Sequence, residues 1–368
     1  MRALFLVDHA STSGGAERLV AGLATHLPRD RIEPWVCSTR HGEPAAVNEL
    51  REAGIPYIEL NRRATWQVYR LWPLAALLRT KRIDVVHSHM FGSNMWGTLI
   101  GRACRVPVIL AHEHNWSYEG AMRMWLDGHV IGRLATRFIT VSAANRERMI
   151  TLEGVPADKV QVMPTAYIPH PGPPSDIRAE LGIPAAAPLV GTAAVVRAEK
   201  RLDVLLDAFA LLRARVADAH LVIAGDGPCS SEVEQHVEHL GLDGSVHLLG
   251  RRRDVDSILR GADVGAMSSD WEGMPLFTFE CMANDTPLVA TAVGGLTEVV
   301  RDGETGLLVA PGDPGALAVA LERVLTDRPF ARRLAANAAT RLGEYEINAV
   351  AAQFADLYEQ LLADARSR

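Results

Sequence analysis

The sequence contains little cysteine and few aromatic residues, and it has no long hydrophobic run. Only four of its 368 residues are cysteines, Cys37, Cys104, Cys229 and Cys281, and no C-x-x-C pair occurs. That pattern indicates neither a zinc site nor a disulfide scaffold. No apolar run approaches the roughly 18 residues of a membrane-spanning helix. The net charge of −6 excludes nucleic-acid binding through overall positive charge.

The chain contains enough apolar residues to form ordinary hydrophobic cores. Hydrophobic residues make up 48 % of it, and its length predicts roughly two domains of about 150 residues each. The start of the chain, Met1–Val7, has an apolar core that is too short for a signal peptide, and Asp8 and His9 follow it at once. We expect a buried first strand and a cytoplasmic protein. Peripheral attachment to the inner face of a membrane is the alternative.

Short apolar runs alternate with segments of helix length along the whole chain. Parallel strands covered by helices on both faces have this composition, so the chain is predicted to be α/β with right-handed crossovers. The predicted helices include Ala16–Leu27, Leu202–Arg215 and Pro314–Leu325. The predicted strands are Ala3–Asp8, Trp35–Thr39, Val85–His89, Val108–His112, Phe138–Ser142, Val160–Met163, Leu189–Val195, Leu221–Ala224, Val246–Leu249, Val264–Met267, Leu288–Thr291 and Leu307–Val309.

A proline-rich stretch divides the strands into two series. Proline at this density cannot continue a helix or a central strand. The sequence therefore predicts two Rossmann-like domains, 1–165 and 186–344, which a linker at 166–185 joins and which face each other across a ligand-binding cleft. A terminal helix covers 345–368. It either caps the second domain or crosses back to the first.

Two motifs in the first half carry candidate chemistry. Ser13-Gly14-Gly15 follows the first strand and opens a helix, so it is either a tight turn or a loop that approaches an anionic ligand. The dinucleotide fingerprint G-x-G-x-x-G is absent. His87-x-His89 and His112-x-His114 each end a strand with two histidines on one face. A metal site is the less favoured interpretation, histidines in a ligand cleft are favoured, and a structural role is an alternative for His87.

The second half contains basic, acidic and glycine-rich loops. Arg197, Lys200 and Arg201 lie at a strand-to-helix junction, where they suit a diphosphate or form a solvated loop. Gly225-Asp226-Gly227-Pro228 is interpreted as a turn. Asp254-x-Asp256 matches a cation-binding pattern, but Asp254 is favoured as the N-cap of a helix over Asp254–Arg260.

The most informative segment is Glu272-Gly273-Met274-Pro275-Leu276-Phe277-Thr278-Phe279-Glu280. Glu272 is predicted to precede a helix and Glu280 to lie about two turns along it. Free N–H groups between the two carboxylates could hold sugar hydroxyls, a phosphate and a ribose. Another glycine turn, Gly294-Gly295-Leu296-Thr297-Glu298, follows at a helix start.

In this order, the motifs resemble those of the retaining, nucleotide-sugar-dependent glycosyltransferases of family 4, which have the two-Rossmann GT-B architecture. The matching elements are the glycine pair Gly14-Gly15, His87-x-His89, His112, the cations Arg197 and Lys200, Glu272-x7-Glu280, Gly294-Gly295-x-x-Glu298 and the closing strand after Asp302. The usual G-R-L before the lysine is Ala194-Val195-Val196 here, and the usual P-N-G is Pro164-Thr165-Ala166.

The resemblance implies an acceptor-binding first domain and a donor-binding second domain. It assigns the donor diphosphate to Arg197 and Lys200, the ribose to Glu280, and the transferred sugar to Glu272 and His112, with His112, Lys200, Arg197 and Glu272 as the catalytic set. His87 and His89 are acceptor-side candidates. The implied donor-binding residues are Gly14, Gly15, Arg197, Lys200, Gly250, Arg251, Glu272, Gly273, Met274, Pro275, Leu276, Glu280 and Glu298.

The donor is expected to be a UDP-sugar, with a GDP-sugar second, and the base is expected to be read around Gly250–Arg253. No cofactor and no metal are expected, because cations beside a helix start can stabilise the leaving diphosphate. The expected acceptor is a glycan or lipid-linked molecule of cell-envelope or exopolysaccharide synthesis. A sugar-nucleotide epimerase and a non-catalytic sugar-nucleotide-binding subunit are the alternatives.

Residues 61–82 contain six cations and no carboxylate. The cations are Arg62, Arg63, Arg70, Arg79, Lys81 and Arg82, and aromatic and aliphatic residues lie between them. An anionic membrane surface or a lipid-diphosphate acceptor suits this pattern. A helix with a buried apolar face and solvated cations is the equally weighted alternative.

Overall fold

The computed structural model describes residues 1–12, 14–64, 67–114, 120–169 and 175–367. They form two compact units. The first contains Met1–Ile168 together with Glu344–Arg368, and the second contains Pro169–Gly343.

The first unit is built on a seven-stranded parallel sheet in the order β3-β2-β1-β4-β5-β6-β7. The strands are β1 Arg2–Val7, β2 Glu33–Ser38, β3 Tyr57–Glu59, β4 Val85–His89, β5 Val108–Glu113, β6 Arg137–Thr140 and β7 Val160–Val162. The helices of this unit are α1 Gly15–His26, α2 Pro44–Glu52, α3 Trp72–Thr80, α4 Phe91–Ala103, α5 Ala121–Leu126, α6 Gly132–Leu134, α7 Ala143–Thr151 and the C-terminal α16 Ile347–Ser367.

The second unit is built on a six-stranded parallel sheet in the order β10-β9-β8-β11-β12-β13. Its strands are β8 Leu189–Ala193, β9 His220–Ala224, β10 Val246–Leu248, β11 Val264–Met267, β12 Leu288–Thr291 and β13 Leu307–Val309. Its helices are α8 Ile177–Leu181, α9 Leu202–Arg213, α10 Ser230–His239, α11 Val255–Gly261, α12 Leu276–Ala283, α13 Leu296–Val299, α14 Pro314–Thr326 and α15 Arg328–Ala339.

The predicted α/β class with two parallel-sheet, Rossmann-like domains is confirmed. All twelve predicted strands form, and a few end earlier than predicted. The run that begins at Phe138 stops at Thr140, because the Ser142 side chain accepts a hydrogen bond from Asn145 N and caps α7. Strand β3, which has three half-buried residues and lies at the sheet edge, is not among the predicted strands.

The C-terminal helix belongs to the first unit. Its buried face includes Val350, Phe354, Tyr358 and Leu361, which join the core formed by α1 and strands β1, β4 and β5. The alternative, that this helix caps the second domain, is therefore wrong. The second unit begins within the predicted linker, where Arg178 of α8 donates hydrogen bonds to Gly261 O and Ala187 O and pairs with Asp263.

Candidate active site

The candidate site of the second unit lies where the order of its strands reverses. Strand β8 pairs on one side with β9 and on the other with β11. The loop after β8 carries Lys200, and the segment after β11 carries Glu272, so both follow the carboxyl ends of adjacent parallel strands. Ligands of open α/β sheets bind at this kind of switch point.

The structure joins Lys200 and Glu272 directly. Lys200 Nζ donates a hydrogen bond to Glu272 Oε1 over 2.6 Å, and Ser269 Oγ donates to the same oxygen over 2.7 Å. The two side chains are 17 % and 4 % exposed. An ammonium group has three donors, and within the described ranges Glu272 is the one partner recorded for Lys200 Nζ. The lysine therefore keeps donor capacity for a bound anion.

Backbone contacts hold the lysine loop against the end of β11. Ser268 Oγ donates to both Lys200 O and Arg201 O, and Asp270 N donates to Glu199 O. Arg201 adopts a left-handed conformation, and its guanidinium pairs with Asp203 and Asp270. Because Arg201 is committed to these carboxylates, the loop is fixed and Lys200 is the cation directed to Glu272.

Arg197 is placed differently from Lys200. Its side chain is 55 % exposed, and its guanidinium lies 3.9 Å from the Glu199 carboxylate. An exposed, loosely paired guanidinium is free to change rotamer, so its assignment to the donor diphosphate stays a prediction.

The carboxylates of the Glu272–Glu280 segment are both buried, and helix α12 starts later than predicted. It begins at Leu276, after Gly273, Met274 and Pro275, so Glu280 lies about one turn into the helix. The prediction of two turns is wrong, because proline at the N-cap position delays the start of the helix. Gly273 is buried, whereas Met274, Pro275 and Leu276 are partly exposed.

The second glycine turn packs on the backbone of Glu272. Gly295 N donates to Glu272 O over 3.2 Å, and Gly294 has a φ of 47°. A Cβ at Gly294 would lie 2.0 Å from Glu272 O. Glycine is therefore required there by both conformation and space. Glu298 follows on α13 and is exposed.

The Gly225–Pro228 turn has a larger role than the sequence analysis gave it. Gly225 has a φ of 141°, and a Cβ there would lie 1.8 Å from Ala194 O. Val196 N donates to Asp226 O, and Gly225 N donates to Gly250 O. The turn thus connects the loop before Arg197 to the predicted base-reading segment, where Gly250 and Arg251 are exposed. The signal in the sequence was a G-D-G-P motif directly after a strand.

The two aspartates of the D-x-D motif have partners within the second unit. Asp254 occupies the N-cap position of α11, but its carboxylate makes no capping hydrogen bond, so that part of the prediction is wrong. It accepts hydrogen bonds from Arg252 and Ser175 instead, and these hold its pKa at about 2. Asp256 is buried and accepts from Asn284 Nδ2 over 2.8 Å. Both carboxylates therefore serve the packing of their own unit.

In the first unit, Gly14 is the N-cap residue of α1 and Gly15 is its first residue. A Cβ at Gly14 would lie 1.9 Å from the Glu17 carboxylate, which folds back over the start of the helix. Ser13 lies outside the described residues. Arg18, one turn into α1, donates to Ile168 O over 2.9 Å.

Four histidines stack at the ends of β4 and β5. His87 and His89 share a face, with ring centroids 4.2 Å apart, and the rings of His112 and His114 are 4.0 Å apart. We call His87, His89, His112 and His114 the histidine cluster. Burial holds the pKa of His87, His89 and His112 well below the ordinary value and lowers that of His114 to about 3. All four rings are therefore neutral at pH 7.

Hydrogen bonds link the cluster internally and to α16. His87 Nε2 lies 3.1 Å from His112 Nδ1, and His87 Nδ1 lies 2.6 Å from the Tyr358 hydroxyl. His89 Nδ1 lies 2.8 Å from His114 Nε2. Because both nitrogens of the buried His87 ring have partners, a structural role is favoured over contact with an acceptor. Its acceptor-side assignment and that of His89 stay predictions.

The cluster also has the dimensions of a metal group, since one ring nitrogen from each of His87, His89 and His112 lies within 4.8 Å of the others. Metal binding by His87 would break a hydrogen bond to Tyr358 or to His112. The geometry therefore favours a hydrogen-bonded network of neutral rings.

The basic segment 61–82 combines both predicted features. In α3, Leu74, Leu77 and Leu78 are buried, as the alternative of an ordinary amphipathic helix requires. Tyr69 and Trp72 are 63 % and 72 % exposed, next to the half-exposed Val68. Arg62 is buried, with its guanidinium 5.9 Å from the Trp96 ring, and is not a surface cation. Trp66 lies outside the described residues. Across the described part of the chain, no helix combines the length and the apolar character needed to span a bilayer.

Comparison with known proteins decides the family. The model for glycosyltransferase family 4 matches residues 13–168, and the model for glycosyl transferases group 1 matches residues 175–341. A D-inositol 3-phosphate glycosyltransferase of Frankia alni is 31 % identical over 77 % of this chain and 75 % of its own length. The chain belongs to the group 1, family 4 glycosyltransferases.

Other similar proteins agree with this assignment. The alpha-D-kanosaminyltransferase of Streptomyces kanamyceticus is 27 % identical to this glycosyltransferase. The match covers 79 % of this chain and 81 % of the kanosaminyltransferase. The crystal structure of Anabaena HepE in complex with UDP-glucose superposes with a TM-score of 0.86 at 21 % identity, covering 97 % of this chain and 99 % of that one. That likeness confirms the GT-B fold.

Proposed function

We propose that this glycosyltransferase moves a sugar from a nucleoside diphosphate sugar, with UDP as the favoured nucleotide, to a glycan or lipid-linked acceptor. The observation that carries the proposal is the Lys200–Glu272 pair at the strand-order switch point of the second unit. It combines a cation for phosphate oxygens with a carboxylate that can accept hydrogen bonds from sugar hydroxyls. HepE binds UDP-glucose according to its crystal structure, which supports the choice of UDP.

In the proposed reaction, the bond between the anomeric carbon and the donor diphosphate breaks, and a bond to the acceptor oxygen forms on the same face. The acceptor proton passes to the leaving phosphate oxygen. As the bond to the anomeric carbon breaks, negative charge grows on the diphosphate while the sugar becomes cationic. Lys200, held by Glu272 and by the backbone contacts of its loop, is positioned in advance to stabilise that charge without a divalent cation. Glu280 is proposed for the ribose and His112 for the donor sugar.

Calorimetric titration with UDP and GDP tests the nucleotide. We expect UDP to bind, whereas tight binding of GDP with no binding of UDP would overturn that choice. Lys200→Met should weaken UDP binding. Lys159→Met, in the first unit, is the matched control because Lys159 Nζ donates to Ala135 O, between α6 and β6.

Incubation with a set of UDP-sugars, with and without glycan and lipid-linked acceptors, tests the reaction. Release of UDP that depends on the acceptor supports the proposal, and proton NMR of the product shows whether the anomeric configuration is retained. UDP release with a changed sugar and no acceptor would indicate an epimerase. Nucleotide binding without any turnover across the set would indicate a non-catalytic subunit. Either result would contradict the proposal.

A peripheral membrane contact is proposed for Val68, Tyr69 and Trp72, which expose apolar area beside the cations of 61–82. Flotation with anionic phosphatidylglycerol vesicles at low salt should carry the protein upward. The double variant Tyr69→Ala, Trp72→Ala should lower the bound fraction. Val319→Ala, which trims an exposed apolar residue of α14, is the control. No flotation of the unmodified protein would refute the contact.

A further inference from the structure

We propose that Tyr358 and His87 are positioning residues that fix the tautomer of His112, so that His112 presents its Nε2–H to an oxygen of the substrate. This inference rests on the proposed function for the identity of that substrate. The proposal rests on three polar groups that lie next to one another on three elements of the first unit. Tyr358 is on α16, His87 is on β4 and His112 is on β5.

The first step is the direction of the hydrogen bond between Tyr358 and His87. The Tyr358 side chain is fully buried, and its hydroxyl lies 2.6 Å from His87 Nδ1. Among the described residues this is the single hydrogen-bond partner recorded for that hydroxyl. A buried O–H without an acceptor is costly. Tyr358 therefore donates, and His87 Nδ1 accepts.

The second step is the position of the proton on the His87 ring and its effect on His112. The pKa of His87 is held well below its ordinary value by burial, so the ring is neutral and carries one proton. Since Nδ1 accepts, the proton is on Nε2. His87 Nε2–H then donates to His112 Nδ1 over 3.1 Å, between rings that are parallel within 1°.

The third step concerns the far nitrogen of His112. Burial also keeps this ring neutral. With Nδ1 accepting from His87, its proton is on Nε2. His112 Nε2 is buried and has no hydrogen-bond partner among the described residues. A buried donor without a partner is costly unless a ligand meets it. The backbone of His112 is held by Asn94, which donates to its carbonyl and accepts from its N–H.

The result is a directional relay. Tyr358 donates to His87, His87 donates to His112, and His112 is left as a hydrogen-bond donor. Without the hydroxyl at position 358, both tautomers of His87 leave one unpartnered polar atom, so the preference is lost and His112 populates both forms. In the molecules where His112 Nε2 carries no proton, it cannot donate to the substrate oxygen, so that hydrogen bond is lost.

The test uses the full chain labelled with ¹⁵N at histidine, with the His112 signal assigned by its loss in His112→Gln. We expect a pyrrole-type shift for Nε2 and a pyridine-type shift for Nδ1. In Tyr358→Phe we expect averaged shifts, and kcat lower by about twofold, because only the fraction of molecules with a proton on His112 Nε2 stays competent, with KM for the donor changed less. His87→Gln can accept at Oε1 and donate at Nε2, so it should keep more activity than His87→Leu.

Phe354→Leu is the matched control for packing. Phe354 is on the same helix, and its ring centroid lies 5.2 Å from that of His87, but it offers no hydrogen bond. It should lower thermal stability without shifting the His112 nitrogens. A pyridine-type Nε2 in the unmodified protein, or unchanged shifts and kcat in Tyr358→Phe, would overturn the proposal. The shifts are read on ligand-free protein, so failure of the relay is distinguishable from failure of the proposed transferase reaction.

Discussion

Mild acid should destabilise the first unit, because the histidine cluster is buried and neutral. In the unfolded chain each histidine has a pKa near 6.5, whereas in the fold burial lowers all four values, that of His114 to about 3. Below pH 6.5 the unfolded state therefore binds more protons than the folded state. Stability is fully present above that pH and is lost as the pH falls toward the folded values.

The magnitude follows from the number of groups. Lowering the pH from 7.5 to 5.5 costs about 1.4 kcal/mol for each histidine that stays neutral in the fold, or about 5 kcal/mol for the cluster. Asp127 acts in the opposite direction, because burial raises its pKa to about 8 and the folded state gains a proton. That gain is worth about 2–3 kcal/mol over the same interval. The net loss is about 3 kcal/mol, a large part of a typical domain stability.

Amide hydrogen exchange read by mass spectrometry measures this loss within the intact chain. After correction for the intrinsic pH dependence, peptides from β4 and β5 should lose about a hundredfold of their protection between pH 7.5 and 5.5. Peptides from β8 and β11 report the second unit as an internal control. Its histidines with lowered pKa, His220 and His247, are only partly buried, so its loss should be smaller.

Two variants separate the opposing groups. Asp127→Asn mimics the protonated carboxyl at every pH, so it should steepen the loss by about 2–3 kcal/mol. His114→Gln can still pair with His89 Nδ1 and does not titrate, so it should reduce the loss by about 1.4 kcal/mol. The reasoning is refuted if β4 and β5 lose protection no faster than β8 and β11, or if both variants leave the slope unchanged.

Three further outcomes are expected. Lys200→Ala should lower turnover by at least about 10²–10³-fold. It should also lower the melting temperature, because the buried Glu272 carboxylate loses its cation. Lys200→Met combined with Glu272→Gln should regain the melting temperature but not the turnover. Asp256→Asn should leave the rate nearly unchanged, as should EDTA, whereas a rate abolished by EDTA and restored by manganese would reverse the assignment. Gly294→Ala should reduce both turnover and melting temperature. Gly303 also has a positive φ but has open space around it, so Gly303→Ala should lower the melting temperature alone. Equal effects of the two variants would argue against the close packing of Gly294 on Glu272.

The sequence by itself determined the fold class and the loops that carry the candidate site. Strands buried on both faces of a parallel sheet have to be apolar throughout, so they can be read directly as runs such as Val85–His89 and Val264–Met267, whose predicted bounds match the structure. Chemistry-bearing residues then follow the carboxyl ends of these strands, which is why Lys200 and Glu272 could be chosen as candidates before any contact was known.

Local chemistry was less predictable where two interactions compete for one side chain. Asp254 has the residue type and place of an N-cap, but Arg252 and Ser175 bind its carboxylate instead. The edge strand β3 was missed because it is three residues long and half-buried, and so lacks the apolar run that marks a central strand. The late start of α12 follows from Pro275. A proline marks the region of a helix start, but its position alone leaves the first helical residue uncertain by about one turn.

Only the tertiary structure decided which distant groups meet. Lys200 and Glu272 are 72 residues apart and form one ion pair, and His87 and Tyr358 are 271 residues apart and share one hydrogen bond. The amphipathic pattern of α16 fixed which of its faces is buried, but it fitted either unit equally well. Its place against β4 and β5 depends on the complementary shape of a core, and on a buried tyrosine hydroxyl meeting a buried histidine, which no local pattern encodes.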